Sequence, residues 1–235
     1  MIYSYNSEPI VGRQSGEQAS MTFTAAADLS DFVISPAEFL ASRPDIHNLI
    51  AGAMVFRSTP SSSPDTTNLE SLLLQRAPSD SFPLTWEIPA GTADPSVDHS
   101  IINVAVRELW EETHLRARRL FCSVGLGFSN GVTTLALTGE AEEARMDSDF
   151  NVCLLRVSGL TWAIVTFIAD IEEGDREVVL RPDEHVAWAW VTEDEVKKGQ
   201  FNHGTGKNME LASEAMRMIV LEGFKLRKAM TQEQG

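Results

Sequence analysis

Three acidic side chains, Glu108, Glu111 and Glu112, lie close together in the run Arg107–Glu112 (RELWEE). If the run is helical, a spacing of three and four residues places their carboxylates within an arc of about 100°. Each like-charge neighbour pair then costs about 0.2–0.5 kcal/mol unless a cation lies between its members. Carboxylate oxygens are the ligands that Mg²⁺ and Mn²⁺ prefer. The spacing therefore predicts a divalent-cation site, with an ordinary solvated acidic helix face as the alternative.

The other side of this predicted helix is apolar, which indicates how the acidic side would be held. A helix from about Ile101 to His114 would form a stripe that docks onto a sheet. The stripe consists of Ile102, Val106, Leu109 and Trp110. We therefore expect one face to be anchored and the opposite face to present its carboxylates to solvent and substrate.

This segment and its flanks resemble the Nudix box, G-x5-E-x7-R-E-U-x-E-E-x-G-U, in which U is an apolar residue. The resemblance is carried by Gly91 and by Arg107–Leu115 (RELWEETHL). The upstream run Trp86–Gly91 (WEIPAG) is similar to the family's W-E-x-P-G-G lead-in. The box covers only about 25 residues, but the order of strands from Leu49 onward is compatible with the whole Nudix fold. The chain is identified as a member of the Nudix superfamily.

Three features depart from the family pattern. Gly91 and Arg107 are two residues further apart than in the box, and the usual glutamate eight positions before Arg107 is His99. We expect a longer turn to absorb both changes, with Asp98 in the place of the missing acid. The glycine that closes the box is His114. We expect His114 just past the helix in a left-handed conformation, to which His is less averse than most residues.

The resemblance implies a role for each charged residue of the helix. Glu108, Glu111 and Glu112 would ligate one or more Mg²⁺ or Mn²⁺ ions, which screen a diphosphate and lower the pKa of a bound water. Either Glu111 or Glu112 would serve as the general base, and the sequence does not choose between them. Arg107 would orient a catalytic carboxylate through an ion pair.

Residues outside the helix complete the expected site. Glu184, before the last strand, is a further candidate for base or ligand, and a plain loop acid is the alternative. Arg76 matches a family position that reaches a phosphate, and a surface cation is the alternative. Gly91 is expected to contact the substrate. His185 and His203 are expected to be structural or exposed, and the tryptophans to pack in the core more often than to stack on a nucleobase.

Strands interleaved with a few helices predict an α/β fold with a mixed sheet, a Nudix-type three-layer α/β/α sandwich. We expect a flexible polar arm over residues 1–30 and a single Nudix domain over residues 31–235. The domain would carry a hairpin extension at about 128–159 and a long C-terminal helix. The clearest elements are strands Leu49–Phe56, Ser71–Arg76, Thr85–Ile88, Arg119–Gly127, Leu160–Ile171 and Val186–Val191, short helices capped by Ser35 and Thr192, and a helix over Lys207–Met230.

Composition narrows the choice of partners. The formal net charge of −15 argues against a broad basic surface for a nucleic acid polymer or an anionic membrane. Cys122 and Cys153 do not form a disulfide framework. We see neither a signal peptide nor a run of about 18 apolar residues that would span a bilayer. A cytoplasmic protein is therefore expected, and its polar arm and final helix are compatible with a homodimer.

Three functions fit these observations. The first is a Mg²⁺-dependent pyrophosphohydrolase that cleaves a small organic diphosphate, such as a nucleoside diphosphate linked to X, by attack of water at phosphorus. The second is a retasked enzyme of the same fold, non-hydrolytic or acting on a prenyl diphosphate or specialised metabolite; isopentenyl-diphosphate isomerase shares this architecture. The third is a ligand-binding regulator whose site has decayed, although decay normally removes the acids and all three are present.

Overall fold

The computed structural model describes most of the chain. It gives the backbone of residues 2–6, 10–11 and 18–19, and it describes residues 22–60, 67–128, 134–137, 141–147, 150–174, 177–202 and 208–232. The strands are β1 Ile2–Asn6, β2 Ile10–Val11, β3 Gln18–Ala19, β4 Thr22–Ala26, β5 Asn48–Pro60, β6 Thr67–Arg76, β7 Trp86–Glu87, β8 Ala90–Thr92, β9 Ala117–Val124, β10 Thr134–Ala136, β11 Ala141–Met146, β12 Cys153–Val157, β13 Leu160–Ile171 and β14 His185–Thr192. The helices are α1 Pro36–Ser42, α2 Ile101–Thr113, α3 Glu193–Lys198 and α4 Glu214–Gln232, with a 3₁₀ helix at Ala27–Val33.

The sheet is organised around β13, the apolar strand LTWAIVTFIADI. It pairs with β5 in parallel and with β12 and β9 in antiparallel fashion. The strand β5 runs beside β13 as far as Val55 and then pairs with β6 from Phe56 onward. The end of β6 pairs antiparallel with β7 on this same edge, and β14 pairs antiparallel with the other edge of β6 along most of its length. Parallel and antiparallel neighbours therefore share one mixed sheet, as predicted.

Two apolar cores lie on opposite faces of this sheet. Successive residues of a strand point to opposite faces, and Phe167 packs in the core beneath α2 whereas Ile168 packs in the core beneath α4. Val106 and Leu109 of α2 belong to the first core, and Phe224 of α4 belongs to the second. The resulting order of helix, sheet and helix confirms the expected three-layer α/β/α sandwich.

Most of the predicted elements are present with small shifts at their ends. The strand Leu160–Ile171 has the predicted bounds. The predicted strands Leu49–Phe56 and Ser71–Arg76 correspond to β5 and β6, which pair in antiparallel fashion. Ser35 and Thr192 each form a capping box, at α1 and α3. The predicted hairpin extension at about 128–159 contains the strand β11, which pairs with β10 and β12.

The predicted arm over residues 1–30 includes residues that belong to the folded domain. Thr22–Ala26 forms β4, which pairs with β9, and the 3₁₀ helix follows directly. Phe23 and Ala25 are 1% and 0% exposed. The prediction of an arm was therefore wrong for residues 22–30. The strand has only two buried residues in five, and this alternation is too short to be recognised within a Ser- and Ala-rich sequence.

The last helix begins later than predicted. It starts at Glu214, where the Ser213 hydroxyl accepts a hydrogen bond from the Met216 amide at 3.1 Å. The preceding segment is held beside β7 instead: the Trp86 amide donates to the Glu210 carbonyl at 2.7 Å, and Ala212 donates back to the Trp86 carbonyl at 3.0 Å. In the described part of the chain, none of the helices is long and apolar enough to cross a membrane.

We expect Phe23→Ala to lower the free energy of unfolding by about 3–5 kcal/mol, because it leaves a cavity beneath β4. Thr22→Ala, at the exposed neighbouring position, is the matched control and should change it by less than about 0.5 kcal/mol. Urea denaturation of both variants measures the difference. Equal stability of the two variants would show that this strand is not part of the core.

Candidate metal and active site

The acidic helix α2 is packed on both sides. Glu108 is 7% exposed and Glu112 is 3% exposed, so the expectation of a solvent-facing carboxylate surface was wrong. The cause is the loop around β8, which lies directly over the helix. The Ala90 amide donates to Oε2 of Glu112 at 2.9 Å, and a Cβ atom added to Gly91 would lie 2.2 Å from the Glu108 carboxyl carbon. Gly91 is required here because any side chain would displace that carboxylate.

Arg107 holds the centre of the cluster. Its Nη1 lies 2.7 Å from Oε1 of Glu108 and 3.2 Å from Oε2 of Glu111, which is the ion pair with an acidic neighbour that we predicted. On its other side, Nε donates to Oδ1 of Asp98 at 3.0 Å and Nη2 donates to Oδ2 at 2.9 Å. This two-point pairing fixes the plane of the guanidinium. Arg107 is therefore a buried cation shared by three carboxylates.

The altered flanks of the helix follow the expected pattern. Asp98, and not the exposed His99, occupies the acidic place beside Arg107; Asp98 is 4% exposed and also accepts from the Asp94 amide at 2.7 Å. His114 ends the helix with φ 56° and ψ 18°, the left-handed conformation that was predicted. Its Nδ1 lies 3.1 Å from the Val179 carbonyl oxygen. The helix thus ends without the glycine, and the carboxylates keep their positions.

Burial changes the proton affinity of two glutamates. Desolvation raises the pKa of Glu108 to about 7, against the opposing charge of Arg107, and Glu111 raises it further. Desolvation also raises the pKa of Glu112 well above its usual value, and the negative charges of Glu87 and Glu108 act in the same direction. Near neutral pH, both side chains are therefore poised to exchange a proton for another cation.

A second group of residues reaches the cluster from the loop before β14. Oxygens of Glu112 and Glu184 and one ring nitrogen of His185 lie within 4.8 Å of one another, a separation that one cation can bridge. Arg181 Nη1 lies 3.1 Å from Oε1 of Glu184 and 3.4 Å from Oε2 of Glu111. Glu184 therefore lies next to the acidic helix, where a general base or a metal ligand would have to lie.

A buried polar row supports this group from the neighbouring strands. In the sheet register His185 lies opposite Arg76, and Glu87 lies opposite Leu74 two positions away on the other edge of β6. Nε2 of His185 is 3.2 Å from Oε1 of Glu87, and Arg76 Nη1 donates to the same oxygen at 2.5 Å. His185 is 3% exposed, and its Nδ1 has no hydrogen-bond partner among the described residues. The other expected structural histidine, His203, lies outside the described residues.

Arg76 is bound on several sides. Besides Glu87, it donates to Oδ2 of Asp80 and to the Ser81 carbonyl, both at 2.6 Å, and its side chain is 18% exposed. Burial lowers the pKa of Arg76, but the charges of Glu87 and Asp80 outweigh it and the net shift is upward. Arg76 is therefore a fixed positive charge at the cleft wall and not the freely solvated surface cation of the alternative reading.

These side chains line a cleft of about 1090 Å³. The acidic cluster and the three arginines 76, 107 and 181 form part of its lining. The lining also includes the apolar side chains of Leu155, Val157, Trp162, Ile164, Met216 and Ile219. The cleft therefore combines charged groups suited to metal and phosphate with apolar groups suited to an uncharged part of a ligand.

Sequence reasoning missed Glu87 and Arg181 as site residues and placed His185 outside the site. Glu87 stands within the W-E-x-P-x-G lead-in, which is the signal that a closer reading would have used. Arg181 and His185 carried no local signal, since only the pairing of β14 with β6 brings them to α2.

Comparisons with known proteins address the family. A family model described as the NUDIX domain matches residues 62–211. A comparison with curated protein sequences finds no match.

Solved structures that resemble this chain are distant in sequence. The MutT NUDIX hydrolase from Burkholderia pseudomallei is 18% identical, over 74% of this chain and 96% of that one, with a TM-score of 0.43. An Ap4A hydrolase from C. elegans is 20% identical, over 65% and 85%, with a TM-score of 0.40. The NUDIX domain of Shewanella oneidensis NrtR, complexed with ADP ribose, is 19% identical, over 83% and 99%, with a TM-score of 0.47.

We predict that Glu108 makes the metal-free protein less stable as the pH rises. Its pKa of about 7 in the folded protein lies above the unfolded value of 4.5, so between these pH values the folded state holds more protons. Over that window this group lowers the free energy of unfolding by up to about 1.4 kcal/mol per pH unit. In Glu108→Gln this contribution is absent.

The measurement is urea denaturation with a chelator at several pH values between 4.5 and 8. The stability of Glu108→Gln relative to wild type should rise with pH and level off above pH 7. Glu173→Gln, at an exposed position, is the control and should differ from wild type by a constant. A constant difference for Glu108→Gln as well would contradict the prediction.

Proposed function

Because this chain belongs to the Nudix family, whose domain model matches more than half of it, and is a hydrolase of phosphorus anhydride bonds, we propose that it is a Mg²⁺- or Mn²⁺-dependent pyrophosphohydrolase. Its substrate is a small organic diphosphate, either a nucleoside diphosphate linked to X or another diphosphate of that size. The observation that carries the proposal is the buried cluster of carboxylates that Arg107 holds in the lining of the cleft.

The residues present fit a divalent cation. Glu108 and Glu112 have pKa values raised by burial and by their acidic neighbours, so a cation relieves a repulsion that Arg107 relieves only in part. Glu111 lies next to Glu112 and provides further oxygen ligands of the kind that Mg²⁺ and Mn²⁺ prefer. When bound, such an ion neutralises charge on a diphosphate and makes a water nucleophile available near neutral pH.

The surrounding residues supply positioning. Arg107 holds Glu108 and Glu111 at fixed separations, and the Ala90 amide holds one oxygen of Glu112. Arg76 offers positive charge to a diphosphate in the cleft, and Gly91 leaves the space that the Glu108 carboxylate occupies. Since displacement at phosphorus depends mainly on positioning and charge stabilisation, this rigid frame is well suited to it.

Glu184 is the best candidate for the general base. A base must pass its proton to solvent after each turnover, and the Glu184 side chain is 41% exposed while that of Glu112 is 4% exposed. Glu111 is less suited because Arg107 and Arg181 both contact its Oε2. We therefore assign Glu108, Glu111 and Glu112 to the metal and Glu184 to proton transfer.

The apolar part of the cleft lining favours a second candidate, in which X is an isoprenoid. Leu155, Val157, Ile164 and Ile219 line the cleft, and their aliphatic side chains can pack against an isoprenoid chain but offer no hydrogen bonds to a nucleobase. A prenyl diphosphate would place its charged head at the acidic cluster and its chain against these side chains. The expected homodimer and the cytoplasmic location stay predictions.

With Mg²⁺ or Mn²⁺ present, we expect hydrolysis of at least one member of a panel of nucleoside diphosphates, sugar nucleotides, dinucleotides and prenyl diphosphates. We expect no hydrolysis after the metal ion is chelated. Glu184→Gln should lower kcat by about 10²- to 10⁴-fold with little change in metal affinity. Glu112→Gln should weaken metal binding by about tenfold or more. Glu173→Gln is the control and should match wild type.

Three outcomes would contradict the proposal. Turnover that persists undiminished in Glu112→Gln would exclude the acidic helix as the metal site. A loss of metal affinity in Glu184→Gln equal to that in Glu112→Gln would make Glu184 a ligand and not the base. Isomerised product without phosphate release from a prenyl diphosphate would identify the retasked, non-hydrolytic enzyme.

A further inference from the structure

The three arginines of the cleft differ in how firmly they are held. Arg107 is fixed by the two-point contact with Asp98 and by the Thr92 carbonyl. Arg76 is fixed by two carboxylates and a backbone carbonyl at distances of 2.5–2.6 Å. Among the described residues, Arg181 makes neither a two-point contact with one carboxylate nor a side-chain hydrogen bond to a backbone carbonyl. Its contacts within the described part of the chain go to Glu111 and Glu184, at 3.4 and 3.1 Å.

Both contacts of Arg181 use one nitrogen, Nη1. The rest of the guanidinium fork is not engaged by the described residues, and the side chain is 23% exposed in the cleft. Both distances are longer than the roughly 2.7–2.9 Å of a strong charge-assisted hydrogen bond. Arg181 can therefore leave these carboxylates at low cost, whereas Arg76 and Arg107 cannot.

The partners of Arg181 are the residues that a metal ion would use. A divalent cation on Glu111 and its neighbours repels a guanidinium a few ångströms away, and it also takes over the neutralisation of the carboxylates. Arg181 and the metal ion are therefore competitors for the same negative charge. A planar guanidinium released in this way matches the oxygens of a phosphate in a two-point contact.

We propose that Arg181 is a movable diphosphate-binding residue, which neutralises Glu111 and Glu184 in the metal-free protein and turns to the substrate's diphosphate when a metal ion takes its place. The proposal rests on the proposed metal-dependent function. It helps to account for how a protein of net charge −15 accepts an anion, because the metal adds positive charge to the cleft and also frees that of Arg181. Metal and diphosphate then strengthen each other's binding, as thermodynamic linkage requires.

The first measurement is the affinity for Mn²⁺ in the absence of substrate. The electron paramagnetic resonance signal of free Mn²⁺ reports how much of the ion is bound. Arg181→Gln removes the competing charge, so we expect it to bind Mn²⁺ roughly three- to tenfold more tightly than wild type. Arg181→Lys keeps the charge and should stay within about twofold of wild type. Arg118→Gln, which removes an arginine that is 56% exposed and outside the cleft lining, should not change the affinity.

The second measurement is the binding of imidodiphosphate, a non-hydrolysable diphosphate, to the metal-loaded protein by calorimetry. Arg181→Gln should bind it about tenfold or more weakly, and Arg181→Lys should also bind it more weakly because Lys lacks the guanidinium fork. Arg118→Gln should again match wild type. A variant that binds Mn²⁺ more tightly and imidodiphosphate more weakly is not explained by simple loss of structure, which would weaken both.

The other outcomes overturn the proposal. An unchanged or weaker affinity for Mn²⁺ in Arg181→Gln would make Arg181 a residue that only positions the ligand carboxylates. Tighter Mn²⁺ with unchanged imidodiphosphate binding would remove its role toward the substrate. If wild-type protein itself binds no Mn²⁺, the proposed function fails, and this result is distinct from binding that is insensitive to residue 181.

Discussion

The structure depends on keeping several carboxylates close together in a place from which water is largely excluded. A charged group removed from water costs several kcal/mol unless it is paired, and Glu108 and Glu112 are both buried. Arg107 offsets part of this cost, the Ala90 amide another part, and protonation the remainder. Arg107 is itself held by Asp98. The departures from the usual box pattern therefore fall where they leave this balance intact.

The fold serves this cluster by covering it. The helix α2 packs its apolar stripe on the sheet, while β8 and the loop before β14 close over its acidic side. Gly91 permits the closest approach, since a larger residue would collide with Glu108. A site built in this way is rigid and poorly solvated, and in such surroundings electrostatic interactions with a metal and a phosphate are stronger than in water.

Local patterns in the sequence predicted the parts of the site that depend on local geometry. The pairing of Arg107 with Glu111 follows from their spacing of four residues on a helix, and the left-handed His114 follows from its place after the last turn. Burial of the carboxylates was not predicted, because it is imposed by β8 from outside the helix. Arg181 and His185 were missed for a similar reason. The pairing of β14 with β6 places them beside α2, and the register of two distant strands cannot be predicted from a short sequence pattern.

The central claim is that these buried carboxylates hold protons until a divalent cation replaces them. The most direct test is calorimetry of Mn²⁺ binding near pH 7 in buffers of different ionisation enthalpy, which counts the protons released. Because burial raises the pKa of Glu108 to about 7 and that of Glu112 well above its usual value, we predict that Mn²⁺ binding releases protons, and that fewer are released from Glu112→Gln. Binding with no proton release, or with the same release from the variant, would contradict the account.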